Sequence, residues 1–341
     1  MERKIDWYRT PLDKDLLRQL TGRSDAKGLL RAGSFLLIFA ATVSLCLFFF
    51  LRRLWIPMAA ACYVHCLFYS FIGMQSAVHE LSHFTPFKSK WLNEIFYHLF
   101  CFLTWNNPVH FRASHMLHHQ YTLHRGLDKE VIPEKLAFSR LDAISWFVFD
   151  FRWFRLIMFP TIAHFFGRAD VDFFFWDPLF PVGDERRSRM CAWARIILLG
   201  HLALIALFIA LKLWVLIGVV SFGYFFATVL GRLATLQQHS GLCPDVPDWR
   251  VSCHTVLFGP LTRFLYWNMN FHTEHHMYAA VPFFQLPRLH EALAGDTPEP
   301  PRGFLTGWRR ILTIRERQRK EPGWCFVPEF PPAAAPPRRA S

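Results

Sequence analysis

Gly33 to Leu51, GSFLLIFAATVSLCLFFFL, runs for 19 residues without a charge, and a second uncharged run, Leu54 to Val78, begins just past Arg52-Arg53. Wound as an α-helix, such a run reaches roughly 28 Å, close to the thickness of a bilayer's hydrocarbon core. A break this short between two spans implies a helical hairpin. A second apolar pair follows at Ala192 to Leu211 and Leu213 to Leu236, with Arg195 and Lys212 placed to snorkel to the headgroups and Arg232 near the end of the second arm. The expected architecture is an all-α integral membrane protein. Its four transmembrane helices would form two hairpins at about 33–51, 54–78, 192–211 and 213–236.

Composition agrees with a lipid-facing chain. Hydrophobic residues make up 52%, and the 37 Phe and 13 Trp exceed what most soluble domains carry. The net charge of +12 would suggest nucleic acid in a soluble protein. Here the basic residues flank apolar runs, so an anionic membrane face is the partner, and no nucleic-acid module is present. Residues 1–32 hold eight Lys or Arg and belong in the cytoplasm by the positive-inside rule. No early apolar run or cleavage site marks a removable signal peptide.

Three domains are expected: a cytoplasmic amphipathic segment over 1–32, a membrane domain over 33–290, and a Pro/Arg-rich cytoplasmic tail over 291–341, disordered at its end. Thr10 reads as the N-cap of a helix whose stripe is Leu12, Leu16, Leu17 and Leu20. Residues 95–105 are too short to cross and suit a buried or interfacial helix. Residues 144–166 carry Asp150, Arg152, Arg155 and Pro160 and read as interfacial. The eight Cys form no C-x-x-C, and neither a disulfide framework nor a cysteine zinc site is expected.

Histidine is placed with a pattern. His79 and His83 in HELSH are i and i+4; His115, His118 and His119 in HMLHH are i, i+3 and i+4; His272, His275 and His276 in HTEHH repeat that spacing. On a helix each set shares one face, roughly 5–6 Å apart at Cβ, where imidazoles can hold a metal. Zero spans separate the first two sets, and one hairpin separates them from the third. All three, with both termini, therefore fall on the cytoplasmic side of the inner membrane. His239, just beyond the fourth run, joins the same side. Nine ligands are too many for one ion, which takes three or four from protein, so two metals are expected on that side. Imidazole suits Zn, Cu, Fe and Ni alike. Asp128, Glu130, Asn270 and Glu274 are candidates to accept the distal N–H of the ligating rings. His110 and His124 read as ordinary polar residues.

H-x-x-x-H followed by two H-x-x-H-H boxes, spread over two hydrophobic hairpins with a further histidine after the fourth run, resembles the membrane fatty acid desaturase superfamily. HTEHHMYAAVPFFQLPRLH is similar to bacterial acyl-lipid desaturase-like members. The resemblance covers roughly 30–290. It implies a cytoplasmic cap holding two Fe ions through the eight box histidines, O2 as co-substrate, and removal of two hydrogens from an alkyl chain. His239 matches the extra ligand of acyl-CoA desaturases. Those enzymes place an Asn four residues earlier, where this chain has Thr235.

The substrate implied is a fatty acyl lipid or acyl thioester. Breaking an alkyl C–H bond calls for redox chemistry that zinc lacks. No fused haem, iron–sulfur or flavin stretch is present, so an external ferredoxin, rubredoxin or cytochrome b5 type donor is expected, docking near Arg186 and Arg187. A second reading is a di-iron hydroxylase of an alkyl or lipid substrate, since box spacing does not separate hydrogen removal from oxygen insertion. A third takes HELSH as the H-E-x-x-H of an intramembrane zinc protease and leaves both H-x-x-H-H boxes without a role. A metal transporter would place its ligands at mid-membrane depth, whereas these lie at the ends of runs or beyond.

Overall fold

The computed structural model describes residues 4–131, 139–171 and 178–338. Among them there is no strand, only isolated bridges such as Phe149 with Phe226 and Leu242 with Phe326. The described residues are all-helical, as expected.

Helix α1 (Lys14–Leu20) starts three residues later than Thr10-Pro11 suggested. Asp13 is the N-cap and accepts from the amides of Asp15 and Leu16. Thr10 instead bonds Asp296, and its own amide meets the Met277 sulfur at 3.3 Å. Helix α2 (Asp25–Leu51) is capped by Ser24, whose hydroxyl accepts from the Lys27 amide, and so begins ahead of the expected boundary at 33. It ends at Arg52, and Arg53 takes φ 58° to reverse the chain. Helix α3 (Trp55–Tyr69) returns against α2.

The second run was expected to continue unbroken to Val78. It stops at Tyr69, and α4 (Ala77–Ser82) starts afresh. A tertiary contact lies at the break. Gly73 sits so close to Tyr224 that an added Cβ would lie 2.1 Å from the phenol oxygen. Gly73→Ala is expected to lower stability by about 1–3 kcal/mol through overpacking, seen as an earlier thermal transition in detergent.

Helices α5 (Lys90–Leu103) and α6 (Pro108–Tyr121) build the near side of the cap, followed by a short α7 (Arg140–Ser145). Helix α8 (Phe151–Phe165) is capped by Asp150, fully buried and paired with Arg232 at 2.8 Å. The charge at 150 thus serves the protein interior, and α8 exposes Phe151, Phe159 and Ile162. Helix α9 (Glu185–Ala210) is the third long apolar element.

The fourth run also departs from a single helix. A turn of helix, α10 (Trp214–Leu216), passes into a π-turn at Ile217–Ser221 and a 3₁₀ turn at Gly223–Phe225 before α11 (Val229–Thr235). Two glycines and a dense β-branched and aromatic sequence weaken α-helix here. Side chains take over the freed carbonyls. His65 Nε2 lies 2.9 Å from Val219 O, Tyr69 donates to Val220 O at 3.1 Å, and Trp105 Nε1 donates to Ser221 O. Buried carbonyls released from a regular helix need such partners. By length and composition two helices can cross a bilayer, Asp25–Leu51 and Glu185–Ala210.

The remaining cap comprises α12 (Trp249–Ser252), α13 (Pro260–Leu265), α14 (His272–Met277), α15 (Leu286–Leu293) and α16 (Phe304–Lys320). The tail, expected to be disordered at its end, is held as far as it is described. Arg250 donates to Ala335 O and Pro336 O, the Ala335 amide donates to Asp296, and Arg338 pairs with Asp6. The structure also contains a disulfide, Cys243–Cys325, which the cysteine spacing gave no reason to expect.

Candidate metal centre

Three short elements present the histidines. In α4, His79 is one turn before His83, the C-cap residue. In α6, Asn107 caps the helix by accepting from Val109 and His110, and Pro108 fills the first turn. That fixes the phase that puts His115, His118 and His119 on one side. The third set lies on α14, only six residues long, reached through left-handed Trp267 and Asn268 (φ 49° and 56°). A helix this short has little stability of its own. Tertiary bonds hold it: Thr255 Oγ1 accepts the Thr273 amide at 3.2 Å, and Thr273 Oγ1 donates to Cys253 O at 3.1 Å.

Folding gathers all nine sequence-selected histidines into two groups. One is His79, His83, His115, His119 and His275; the other is His118, His239, His272 and His276. Within each group one nitrogen per ring lies within 4.8 Å of all the others. The i+3 histidine of each box thus parts from its neighbours: His118 joins one group and His115 and His119 the other, while His275 leaves His272 and His276.

Ring orientation says what fills the space between them. His118 Nδ1 donates to Asp128 at 2.9 Å, and His239 Nδ1 donates to the Ser252 carbonyl at 2.8 Å. The Thr122 hydroxyl gives its proton to His118 O at 2.7 Å and so accepts from His276 Nδ1 at 3.1 Å. In neutral rings this leaves each Nε2 bare. Yet His272 Nε2 stands 2.8 Å from His239 Nε2 and 3.0 Å from His276 Nε2. In the other group, Nε2 separations are 2.9 Å for His79–His275, 2.9 Å for His83–His115 and 3.2 Å for His119–His115. One proton on His272 Nε2 can serve only one of its two neighbours, so at least one pair of lone pairs is left facing across 3.0 Å or less, where they repel. A metal with ligands about 2.1 Å away sets adjacent nitrogens about 3.0 Å apart at right angles. The donor sets therefore fit two metal ions.

Burial supports the neutral form that a metal needs. Desolvation, then repulsion among the rings, holds His79, His115, His119, His272, His275 and His276 well below the usual histidine range, and His83 at about 3. His118 differs. Burial disfavours its charge, but the adjacent Asp128 carboxylate outweighs that and raises it.

Of the four residues expected to support the rings, two do so. Asp128 takes His118, and Glu130 meets His115 Nδ1 at 2.9 Å. Burial pushes the Glu130 carboxyl up to about 7. Asn270 donates instead to Val256 O, and Glu274 bonds Thr255 and His290, so neither touches a ligating ring. Thr122 and the Ser252 carbonyl do the work expected of them. A carbonyl leaves no mark in a sequence, and Thr122 is one threonine among many. His110 and His124 belong to neither group. Thr235 bonds back to Gly231 O on its own helix.

Asp128 also accepts the amides of Leu123, Glu130 and Val131, so it shapes the loop as well as the ring. Asp128→Asn keeps the size and loses the charge. It is expected to weaken metal binding in the His118 group by about 10–100-fold, read by chelator competition, while the other group is unaffected.

Glu80, the would-be base of HELSH, faces away from this chemistry. Its Oε1 accepts from Thr85 at 2.6 Å and from the Phe283 amide at 3.0 Å. No carboxylate lies in either group. A protease reading loses its general base.

A family profile described as fatty acid desaturase matches residues 53–308, and no curated protein matches the chain. That span covers three quarters of the sequence and every histidine of both groups. The chain belongs to the fatty acid desaturase family.

Proposed function

We propose that the protein is an O2-dependent di-iron desaturase that introduces a double bond into a fatty acyl chain of a lipid or acyl thioester. The observation that carries this is the pair of all-imidazole groups, five rings and four, with one nitrogen per ring converging. Overall, an alkyl –CH2–CH2– gives up two hydrogens, and O2 with two electrons and two protons becomes two waters. Bound iron would supply the redox chemistry. The protein's residues hold and aim the ligands, through Asp128, Glu130, Thr122 and the Ser252 carbonyl, and keep water from a buried site.

The proposed setting is the inner membrane, multi-pass, with four crossings in two hairpins and the cap and both termini cytoplasmic. The second and fourth crossings would then be the broken elements around Gly73 and Ile217–Ser221. A cavity of about 390 Å³ opens at their level, lined by Ala59, Tyr63, Cys66, Val215, Gly218 and Phe226, and suits hydrocarbon. Electrons come from a separate iron–sulfur or haem protein. Arg186, first singled out to meet it, is engaged by Asp184 at 2.6 Å.

The test is mass-spectrometric lipid profiling of a host making the protein beside one making His272→Ala. New double bonds, absent from the variant, support the proposal. Lipids gaining one oxygen would move the reading to a hydroxylase, and identical profiles would sink both.

A further inference from the structure

We propose that Cys243 and Cys325 form a reversible dithiol–disulfide centre that sets how firmly the His239 arm of the cage is held. The bond joins residues 82 apart in sequence, and among the described cysteines the other six are free. Cys243 is 3% exposed, whereas Cys325 is half-buried, so one sulfur can be reached by small reagents. With the cap in the cytoplasm, as proposed above, thiols are ordinarily kept reduced, and disulfides that do form are usually transient and redox-sensing.

What the bond fastens is specific. His239 opens a tight turn in which the Leu242 amide returns to its carbonyl at 3.4 Å. The ring is held from one side by the Ser252 carbonyl. The far end of the turn is held by the tail: Leu242 bridges Phe326, and Cys243 is bonded to Cys325. Gln318 on α16 adds a bond to Gly241 O at 3.0 Å. Cys243 packs with Val246 and Val251, beneath Phe330 of the tail. Opening the disulfide removes the one covalent tie on a turn that begins with a cage residue. The other contacts keep the tail nearby, so the bond can re-form.

The chemistry balances with a peroxide as oxidant. Two thiols and one hydrogen peroxide give the disulfide and two waters; a small dithiol reverses it by exchange through a mixed disulfide. Hydrogen peroxide is the two-electron reduction product of O2. That source rests on the proposed oxygen-dependent function, whereas the staple itself does not.

The test uses the full chain in detergent, treated with dithiothreitol or with hydrogen peroxide, beside Cys325→Ser. Differential alkylation and peptide mass spectrometry should show Cys243 and Cys325 unmodified after peroxide and both labelled after reduction. Hydrogen exchange at the amides of 239–246 should then be several-fold faster in the reduced chain and in Cys325→Ser. Iron should leave the His118, His239, His272 and His276 group faster by a similar factor. A pair that stays labelled after peroxide, or amide exchange that is the same in both states, overturns the proposal. Absence of iron from every sample would count against the di-iron reading alone, because the alkylation and exchange results need no metal.

Discussion

With iron in both histidine groups, as proposed, His272→Ala is expected to purify with one iron per chain, whereas His275→Ala should keep most of its second iron. The difference follows from the number of rings. His272 belongs to the group of four and His275 to the group of five. A metal takes three or four protein ligands, so the larger group can lose one ring and still close. The smaller falls to three, the bottom of that range, and loses the ring whose Nε2 meets both His239 and His276, so the rings left behind no longer share a common neighbour. Turnover by His272→Ala should fall at least ~10³-fold, about 4 kcal/mol of barrier, since one of two redox centres is gone. Elemental analysis per chain, with chelator titration, reads the first effect. If the two variants lost iron equally, the division of the nine histidines into five and four would be wrong.

Arg250→Ala should have the largest effect on stability. Its guanidinium is fully buried, 2.8 Å from the equally buried Asp248 and 2.8 Å from Asp296. It stacks on Tyr8 at 3.8 Å and Phe330 at 4.8 Å. Removing it strands a buried carboxylate at Asp248 and unfastens both ends of the chain at once. Breaking such a pair from one side costs about 3–5 kcal/mol. The thermal midpoint should drop by about 5 °C or more. Asp296→Asn, at a carboxylate that is partly exposed and also bonds Tyr8 and Thr10, should cost less. Equal losses in the two variants would mean that the guanidinium is not the keystone argued here.

The two histidine groups were legible because their information is local. Ring spacing within a helical turn is written in three to five residues, and His239 stands close after the fourth apolar run. The departures depend on distant partners. Where the second run breaks, Tyr224 packs on Gly73 and donates to Gln75, and nothing near residue 73 announces residue 224. Cys243 and Cys325 look like two more apolar cysteines until the tail crosses the cap. Asp128 and Asn270 were equally good candidates by composition; only the loop after α6 decides that the carboxylate, and not the amide, reaches a ring. The choice of N-cap failed for the same reason, since Thr10 is drawn away by Asp296.

The fourth apolar run carries a consequence for how the protein is made. Its carbonyls at Val219, Val220 and Ser221 are served by His65, Tyr69 and Trp105. If this run crosses the bilayer as proposed, a growing chain that delivered 213–228 alone would expose those groups to hydrocarbon, where each unmet carbonyl costs several kcal/mol. All three helpers are synthesised first. With the four crossings proposed above, the first hairpin and Trp105 would give the broken segment a surface to dock on as it enters the bilayer.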